Sequence, residues 1–293
     1  MKITITGGNG QLANELRATA PEFAELTVLS RSDLDIADES AVARYLAEAK
    51  PDAIINAAAY TAVDRAESDE KMAQAVNSSG PENLAKHSAE SCYLLHVSTD
   101  FVFDGRKNTP YLPADRTQPT SAYGRSKLGG EHAVAAHKSG NWAIIRTAWV
   151  YSAYGSNFVK TMLRLMAEKP QLGVVVDQVG TPTWARGLAD VCWACVQHTV
   201  TGIHHWSDAG VASWYDFAKA IQDLGLQHGL LTERIPINPI PSSAYPVPAQ
   251  RPAYSVLDKS TLLAALPSVE NIYWREQLGA MFNDYLAKSG VHE

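Results

Sequence analysis

Met1-Lys2-Ile3-Thr4-Ile5-Thr6-Gly7-Gly8-Asn9-Gly10-Gln11-Leu12-Ala13 opens the chain and decides its fold. Ile3 and Ile5 lie in a short β-rich run, glycines follow as a turn, and a helical stretch runs from about Gln11 to Ala20. Strand, glycine turn and helix in that order are the context of a dinucleotide fingerprint. Two spacings fit, Gly8-x-Gly10-x-x-Ala13 and Gly7-x-x-Gly10-x-x-Ala13, with Ala13 in place of the last glycine. Small residues permit the tight turn, close approach of backbone to a pyrophosphate, and close helix–strand packing. The helix N-terminus adds free N–H groups and a dipole that favours phosphate.

Outward from this stretch, strands and helices alternate. Leu26–Leu29 reads as a second strand, Asp38 as the N-cap of a helix from Glu39 to Ala49, and Ala53–Asn56 as a third strand after the break at Pro51. Met72 to Asn77 and Pro81 to Glu90 read as helices, Tyr93 to Ser98 and Trp142 to Arg146 as the fourth and fifth strands. Continuous apolar strands spaced by helices imply an α/β fold, a Rossmann-type doubly wound parallel sheet covered on both faces. Residues 1–150 are expected to form the nucleotide-binding domain and 151–293 mainly a smaller α/β substrate domain. The Val174-Val175-Val176 strand, about 172–180, is expected to return to the first. Helices are expected over Gly187 to His198, Trp214 to Gly225 and Tyr273 to Lys288, with a proline-rich loop over 236–252.

The net charge of −6 gives no support for binding nucleic acid or a membrane surface, and no apolar run approaches a membrane span. The N-terminus has no signal-peptide layout. Three cysteines, an odd number, argue against a disulfide framework and fit a reducing compartment, the cytoplasm. Cys192 and Cys195 have metal or redox spacing, but they stand in an apolar helical stretch without a second pair and read as packing residues. His204 and His205 are adjacent on a strand, so they face opposite ways and cannot easily chelate one ion.

In doubly wound sheets ligands bind beyond the carboxyl ends of the strands. Ser30-Arg31 follows the second strand, where an NAD site usually carries an acid; an arginine there suits the 2′-phosphate of NADP. Asn56-Ala57-Ala58-Ala59 leaves room for a cofactor against the backbone. Ser98-Thr99-Asp100 ends the fourth strand with two hydroxyls and a carboxylate. Tyr123 and Lys127, four residues apart, share one helix face. An ammonium beside a phenol favours the phenolate and lowers its pKa, giving a group able to exchange a proton with a substrate oxygen.

Thr6-Gly7-x-x-Gly10-x-x-Ala13, Asn56-Ala57-Ala58-Ala59, Ser98-Thr99-Asp100 and Tyr123-x-x-x-Lys127 together resemble the extended short-chain dehydrogenase/reductase family. Asp33-Leu34-Asp35-Ile36, Thr99-Asp100-Phe101-Val102-Phe103-Asp104-Gly105, Arg146-Thr147-Ala148-Trp149-Val150-Tyr151, Asn157-Phe158-Val159, Asp177-Gln178-x-Gly180-x-Pro182-Thr183 and Arg251-Pro252 narrow the resemblance, over nearly the whole chain, to its dTDP-4-dehydrorhamnose reductase branch. That resemblance implies NADPH, or NADH, reducing the C4 ketone of a dTDP-linked sugar for cell-surface polysaccharide. It implies Thr99, Tyr123 and Lys127 as the catalytic set: Tyr123 protonates the developing alkoxide, Lys127 holds the nicotinamide ribose, and Thr99 hydrogen-bonds the carbonyl oxygen. It places Gly10, Gln11 and Leu12 on the pyrophosphate, Asp35 and Ile36 near the adenine, and Ala57, Ala58 and Ala59 along the cofactor. Asp100, Trp149, Asn157 and Arg251 are implied on the substrate side.

Some members of the family dimerise through Mg²⁺ bridged by two carboxylates. Glu15 matches the first, but Arg186 stands where the second is expected. A cation cannot ligate Mg²⁺, so no metal is expected; the state is monomer or homodimer, and Arg186 is expected to pair with Glu15. Dehydratases of the superfamily follow the Thr-Asp pair with Glu; Phe101 stands there and argues against elimination. The alternatives are a reductase or epimerase of another nucleotide deoxysugar, or a non-catalytic NADP-binding regulatory subunit, against which intact Tyr123 and Lys127 count.

Overall fold

The computed structural model describes residues 1–289. Its centre is a six-stranded sheet of β1 (Lys2–Thr6), β2 (Glu25–Leu29), β3 (Ala53–Asn56), β4 (Tyr93–Thr99), β5 (Trp142–Thr147) and the strand Gly202–His205. The order is Gly202–His205, β5, β4, β3, β1, β2, and every neighbouring pair is parallel. Successive side chains leave a strand on opposite faces, which sorts the apolar runs into two cores. Ile3, Ile5, Ile55, Leu95 and Ile145 join one core with Leu188, Cys192 and Trp193. Ile54, Leu94 and Ile144 join the other with Val42, Leu46, Leu84 and Val134.

The expected return of about 172–180 to this sheet is corrected. Leu172–Val175 pairs instead with Ile237–Ile240, in a separate two-stranded parallel sheet. What comes back is the helix Ala185–His198, which covers the sheet beside α1 (Gln11–Ala18), and the edge strand after it. An apolar triplet identifies a strand without identifying its partner. Gly202-Ile203-His204-His205, with its two histidines, carries no such run. A third core gathers Met162, Phe217, Ile221, Trp274 and Phe282 from the helices Phe158–Glu168, Trp214–Gln227 and Trp274–Ser289.

The two helices expected between β3 and β4 form one continuous rod, Glu70–Gln74 and Gly80–His87 joined by a π-helical turn, Ala75–Ser79. Pro81 has no N–H to return to the carbonyl of Asn77, so the regular ladder cannot close there. The helix Ala122–His137 exploits the gap: a Cβ on Gly130 would lie 2.2 Å from the Asn77 carbonyl oxygen, so only glycine allows this approach. Asn77 also ties the rod to that helix and to the loop before it, donating to Ser126 Oγ (3.0 Å) and to the Tyr60 carbonyl (3.0 Å).

Candidate active site

The glycine turn adopts the geometry its spacing suggests. Gly7 has φ +78°, and a Cβ there would lie 2.7 Å from the Ala57 backbone. The Gly10 amide donates to the Gly7 carbonyl, closing the turn before α1, and the Gly8 amide donates to the Leu29 carbonyl. Beyond the strand ends lies a cavity of about 520 Å³. Gly7, Gly10, Gln11, Leu12, Arg31, Asp35, Ile36, Ala57, Ala58 and Ala59 line it along one side, Tyr123 and Lys127 at the other. An elongated cradle of glycine turn, helix N-terminus and bare alanine backbone fits a dinucleotide. Ser30 is not on this lining; its hydroxyl bonds to Asp33 (2.6 Å) and Ser32. Arg31 is exposed at the rim and pairs with Asp35 at 3.2 Å.

Sequence reasoning missed Tyr60, Val76, Thr147 and Gly155 on the same lining. Val76 lies in the π-helical turn, which no local pattern announces. Gly155 comes from beyond β5, brought in by Asn157: that side chain caps the helix Phe158–Glu168, accepting from the Lys160 amide, and donates to Gln11 Oε1 at 2.9 Å. Asn157 thus touches the cofactor side of the site through Gln11.

At the far end, Ser121 caps the helix Ala122–His137 by accepting from the Gly124 amide, and Tyr123 and Lys127 follow within two turns, both buried. Tyr123 packs edge-on to Phe101, with ring centroids 5.5 Å apart. Burial pushes the phenol up to about 12; a hydrogen bond with Thr99 works against this, and the Asp100 carboxylate adds to it. The expected lowering of the Tyr123 pKa by Lys127 is not what this geometry gives. Lys127 Nζ is turned to the Val97 carbonyl at 2.7 Å and to His96 at 3.3 Å, and burial lowers its own pKa to about 8.

Thr99 Oγ1 donates to Asp100 Oδ1 at 3.0 Å and accepts from the Phe101 amide. Asp100 is buried, and desolvation raises its pKa to about 6 against hydrogen bonds with Ser255 and Thr99, which lower it. Behind Lys127 runs a buried ion pair that the sequence did not suggest. Glu131 accepts both Arg146 Nε (2.9 Å) and Arg146 Nη2 (2.6 Å), and also the Ser98 hydroxyl (2.5 Å).

A second cavity, about 420 Å³, is lined by Phe158, Gln178, Trp214, Tyr245 and Arg251 among others. Trp149, at φ +49°, stacks flat on Trp214, ring centroids 3.6 Å apart. Arg251 is held by Asp64 at 2.7 Å, a link from the proline-rich loop to the segment after β3. The structure therefore divides the expected residues: the cofactor set apart from Ser30 lines the first cavity, Arg251 lines the second, Trp149 stacks on Trp214 of that lining, and Thr99 and Asp100 stand beside Tyr123.

Arg186 does not pair with Glu15. Its guanidinium reaches Asp284 (3.8 Å), while Glu15, buried, accepts from the Ser152 hydroxyl at 2.5 Å. Cys92, Cys192 and Cys195 are free and buried, and burial raises each thiol pKa.

A dinucleotide cradle running to a buried tyrosine and lysine defines an oxidoreductase of the short-chain type. Residues 1–287 match the family model described as RmlD substrate binding domain, and the chain belongs to that family. It is 42% identical to a dTDP-4-dehydrorhamnose reductase from Burkholderia thailandensis, over 98% of this chain and all of that one. It is 40% identical to a probable dTDP-4,6-dihydroxy-2-methyloxan-3-one 4-ketoreductase from Streptomyces antibioticus, over 98% of this chain and 96% of that one. The crystal structure of dTDP-4-dehydrorhamnose reductase from Bacillus anthracis in complex with NADP superposes with a TM-score of 0.91 at 33% identity, over 97% of this chain and 99% of that one.

Proposed function

We propose that the chain reduces the C4 ketone of dTDP-4-dehydro-L-rhamnose to dTDP-L-rhamnose, drawing on NADPH, in the supply of sugar nucleotide for cell-surface polysaccharide. The observation that carries this reading is the convergence of the glycine cradle, Tyr123 and Lys127 on one cavity in a chain with these relatives. A reduced nicotinamide supplies hydride when it is bound. The Gly7–Leu12 turn and α1 N-terminus bind its pyrophosphate, and Arg31 at the rim meets a 2′-phosphate. Tyr123, a phenol raised to about 12, gives its proton to the oxygen that becomes an alkoxide. Lys127 orients the ribose. Thr99 turns its hydroxyl from Asp100 to that same oxygen. The second cavity takes the nucleotide part of the substrate, with Arg251 at the diphosphate and Trp149 against the sugar. Glu131, through Arg146 and Ser98, keeps the end of β4 in register with the helix that carries Tyr123.

The test is consumption of NADPH or NADH with dTDP-4-dehydro-L-rhamnose as acceptor, run beside other dTDP-linked 4-keto sugars. Oxidation of neither cofactor with the rhamnose precursor would remove the proposal. Faster turnover of another ketone would favour the second reading, to which the Streptomyces antibioticus relative points: a reductase of a different deoxysugar.

A further inference from the structure

The proline-rich segment 241–252 crosses from one half of the fold to the other, and an aspartate holds it near each end. Near its start, Asp177 accepts from the Ser242 amide (2.8 Å) and from the Ser242 hydroxyl (3.0 Å). Near its end, Asp64 Oδ1 accepts from the Ala249 amide at 3.3 Å, and Asp64 Oδ2 pairs with Arg251 Nη2 at 2.7 Å. Between these two holds, Tyr245 and Val247 line the second cavity, as Arg251 does. The two aspartates belong to different halves. Asp177 follows the strand Leu172–Val175 of the small sheet. Asp64 follows β3, three residues beyond Thr61, which ends the 57–61 stretch lining the first cavity.

The charged neighbours of Asp64 have other partners. Arg65 faces Asp69 at 3.9 Å, and Glu67 accepts from the Ala122 amide at 2.8 Å. On the far side of Arg251 the chain is fixed separately. Pro252 packs on Gly105, where a Cβ would lie 2.5 Å from the Pro252 Cα, and the Val179 amide donates to the Ala253 carbonyl at 2.8 Å. The backbone around Arg251 is therefore held from both directions. The direction of its long side chain is what Asp64 adds.

A guanidinium carries five N–H donors in a planar fork, and it recognises a phosphate best when that plane is already set. The Asp64 contact is made through Nη2, which leaves Nη1 and Nε to meet an anion. We propose that Asp64 is a positioning residue for the sugar nucleotide: it fixes the Arg251 guanidinium from the cofactor side of the fold and presents the rest of the fork to the substrate diphosphate. This rests on the reading of the second cavity given above. Two effects oppose each other here. A carboxylate near a diphosphate repels it, but the Asp64 side chain is 38% exposed and already paired with a cation, so water and Arg251 screen that repulsion. The ordering of a long, rotamer-rich side chain is not screened, and it wins.

Calorimetric titration with dTDP, which carries the diphosphate without the sugar, tests this independently of turnover and of which ketone is reduced. Asp64→Asn keeps an oxygen for the Ala249 amide and removes the charge that holds Arg251. Its Kd for dTDP should rise by roughly three- to tenfold, the cost of ordering one such side chain at binding, with the Kd for NADPH unchanged. Arg251→Ala should raise the dTDP Kd by roughly tenfold or more, as a charge-assisted contact is lost. On that background Asp64→Asn should add less than about twofold, because Asp64 acts through Arg251. In ketone reduction Asp64→Asn should raise KM with kcat within about twofold of wild type. Unchanged or tighter dTDP binding by Asp64→Asn, with Arg251→Ala still weakened, overturns the inference and leaves the reading of the cavity standing. Wild-type affinity in Arg251→Ala overturns both. Equal losses from Asp64→Asn with and without Arg251, or a parallel loss of NADPH affinity, would show that Asp64 supports the loop by another route, and would overturn the inference alone.

Discussion

The two cavities are built by opposite means. The first is laid along a glycine turn, the bare peptide of Ala57 to Ala59 and the start of α1, with side chains such as Ile36, Tyr123 and Lys127 at its ends. Its residues come from the ends of neighbouring parallel strands, so the sheet itself brings them together. The second is bounded by large side chains, Phe158, Trp214, Tyr245 and Arg251, drawn from two helices and a proline-rich loop. A backbone cradle binds what all dinucleotides share. A cavity of side chains can be re-cut by substitution, and the proposed function puts selectivity among sugar nucleotides there. If this division is right, variants of one cavity leave binding in the other intact.

The largest expected effect lies between the cavities. Tyr123→Phe should lower turnover by roughly 10²–10⁴-fold, the range for a lost general acid, while NADPH binding measured by fluorescence stays as in wild type. Turnover within a few-fold of wild type would mean that another group delivers the proton. Next comes the floor of the first cavity. Glu131→Ala leaves Arg146, 2% exposed, buried without its partner. Loss of one partner from a buried ion pair costs about 3–5 kcal/mol, to be seen as a lower midpoint in urea unfolding. An unchanged midpoint would show that the site does not depend on this pair.

How much of this was legible in the sequence follows the same division. The cradle was, because a strand–glycine–helix turn has local requirements that specific residues meet, such as the positive φ of Gly7. Tyr123 and Lys127 were, because helical spacing alone places them together. The effect of Lys127 on Tyr123 was not: burial and the turn of its ammonium to the Val97 carbonyl, 30 residues away in sequence, are set by the fold. The π-helical turn stayed hidden because Pro81 read as a boundary between two helices, when it only interrupts one ladder bond. The edge strand Gly202–His205 stayed hidden because its place is set by pairing with β5 rather than by its own composition. Arg186 was expected at Glu15 because it stands where the family has its second metal-binding carboxylate; the fold turns its guanidinium to Asp284 instead.

In the second cavity, Trp214→Leu keeps an apolar side chain of moderate size and removes the ring on which Trp149 stacks. Large aromatic anchors carry about 2 kcal/mol or more where they dominate a binding site. KM for the sugar nucleotide should rise by roughly tenfold or more, with the Kd for NADPH unchanged. A parallel loss of NADPH affinity would break the separation between the cavities.

The smallest expected effect tests the rim of the first cavity. Arg31 is exposed and paired with Asp35, so its charge is partly occupied and screened by water. A guanidinium contact to a 2′-phosphate at such a rim is worth about 1.5 kcal/mol, at the low end for hydrogen bonds between charged groups. Arg31→Ala should therefore weaken NADPH by roughly tenfold in kcat/KM. NADH lacks that phosphate, so its kcat/KM should hold or improve slightly, because Asp35 is released to accept from ribose hydroxyls. The loss for NADPH should also shrink in high salt, since an exposed charge contact is screened beyond about a Debye length. Equal losses for both cofactors would mean that Arg31 supports the fold of the 30–36 loop rather than reading the phosphate.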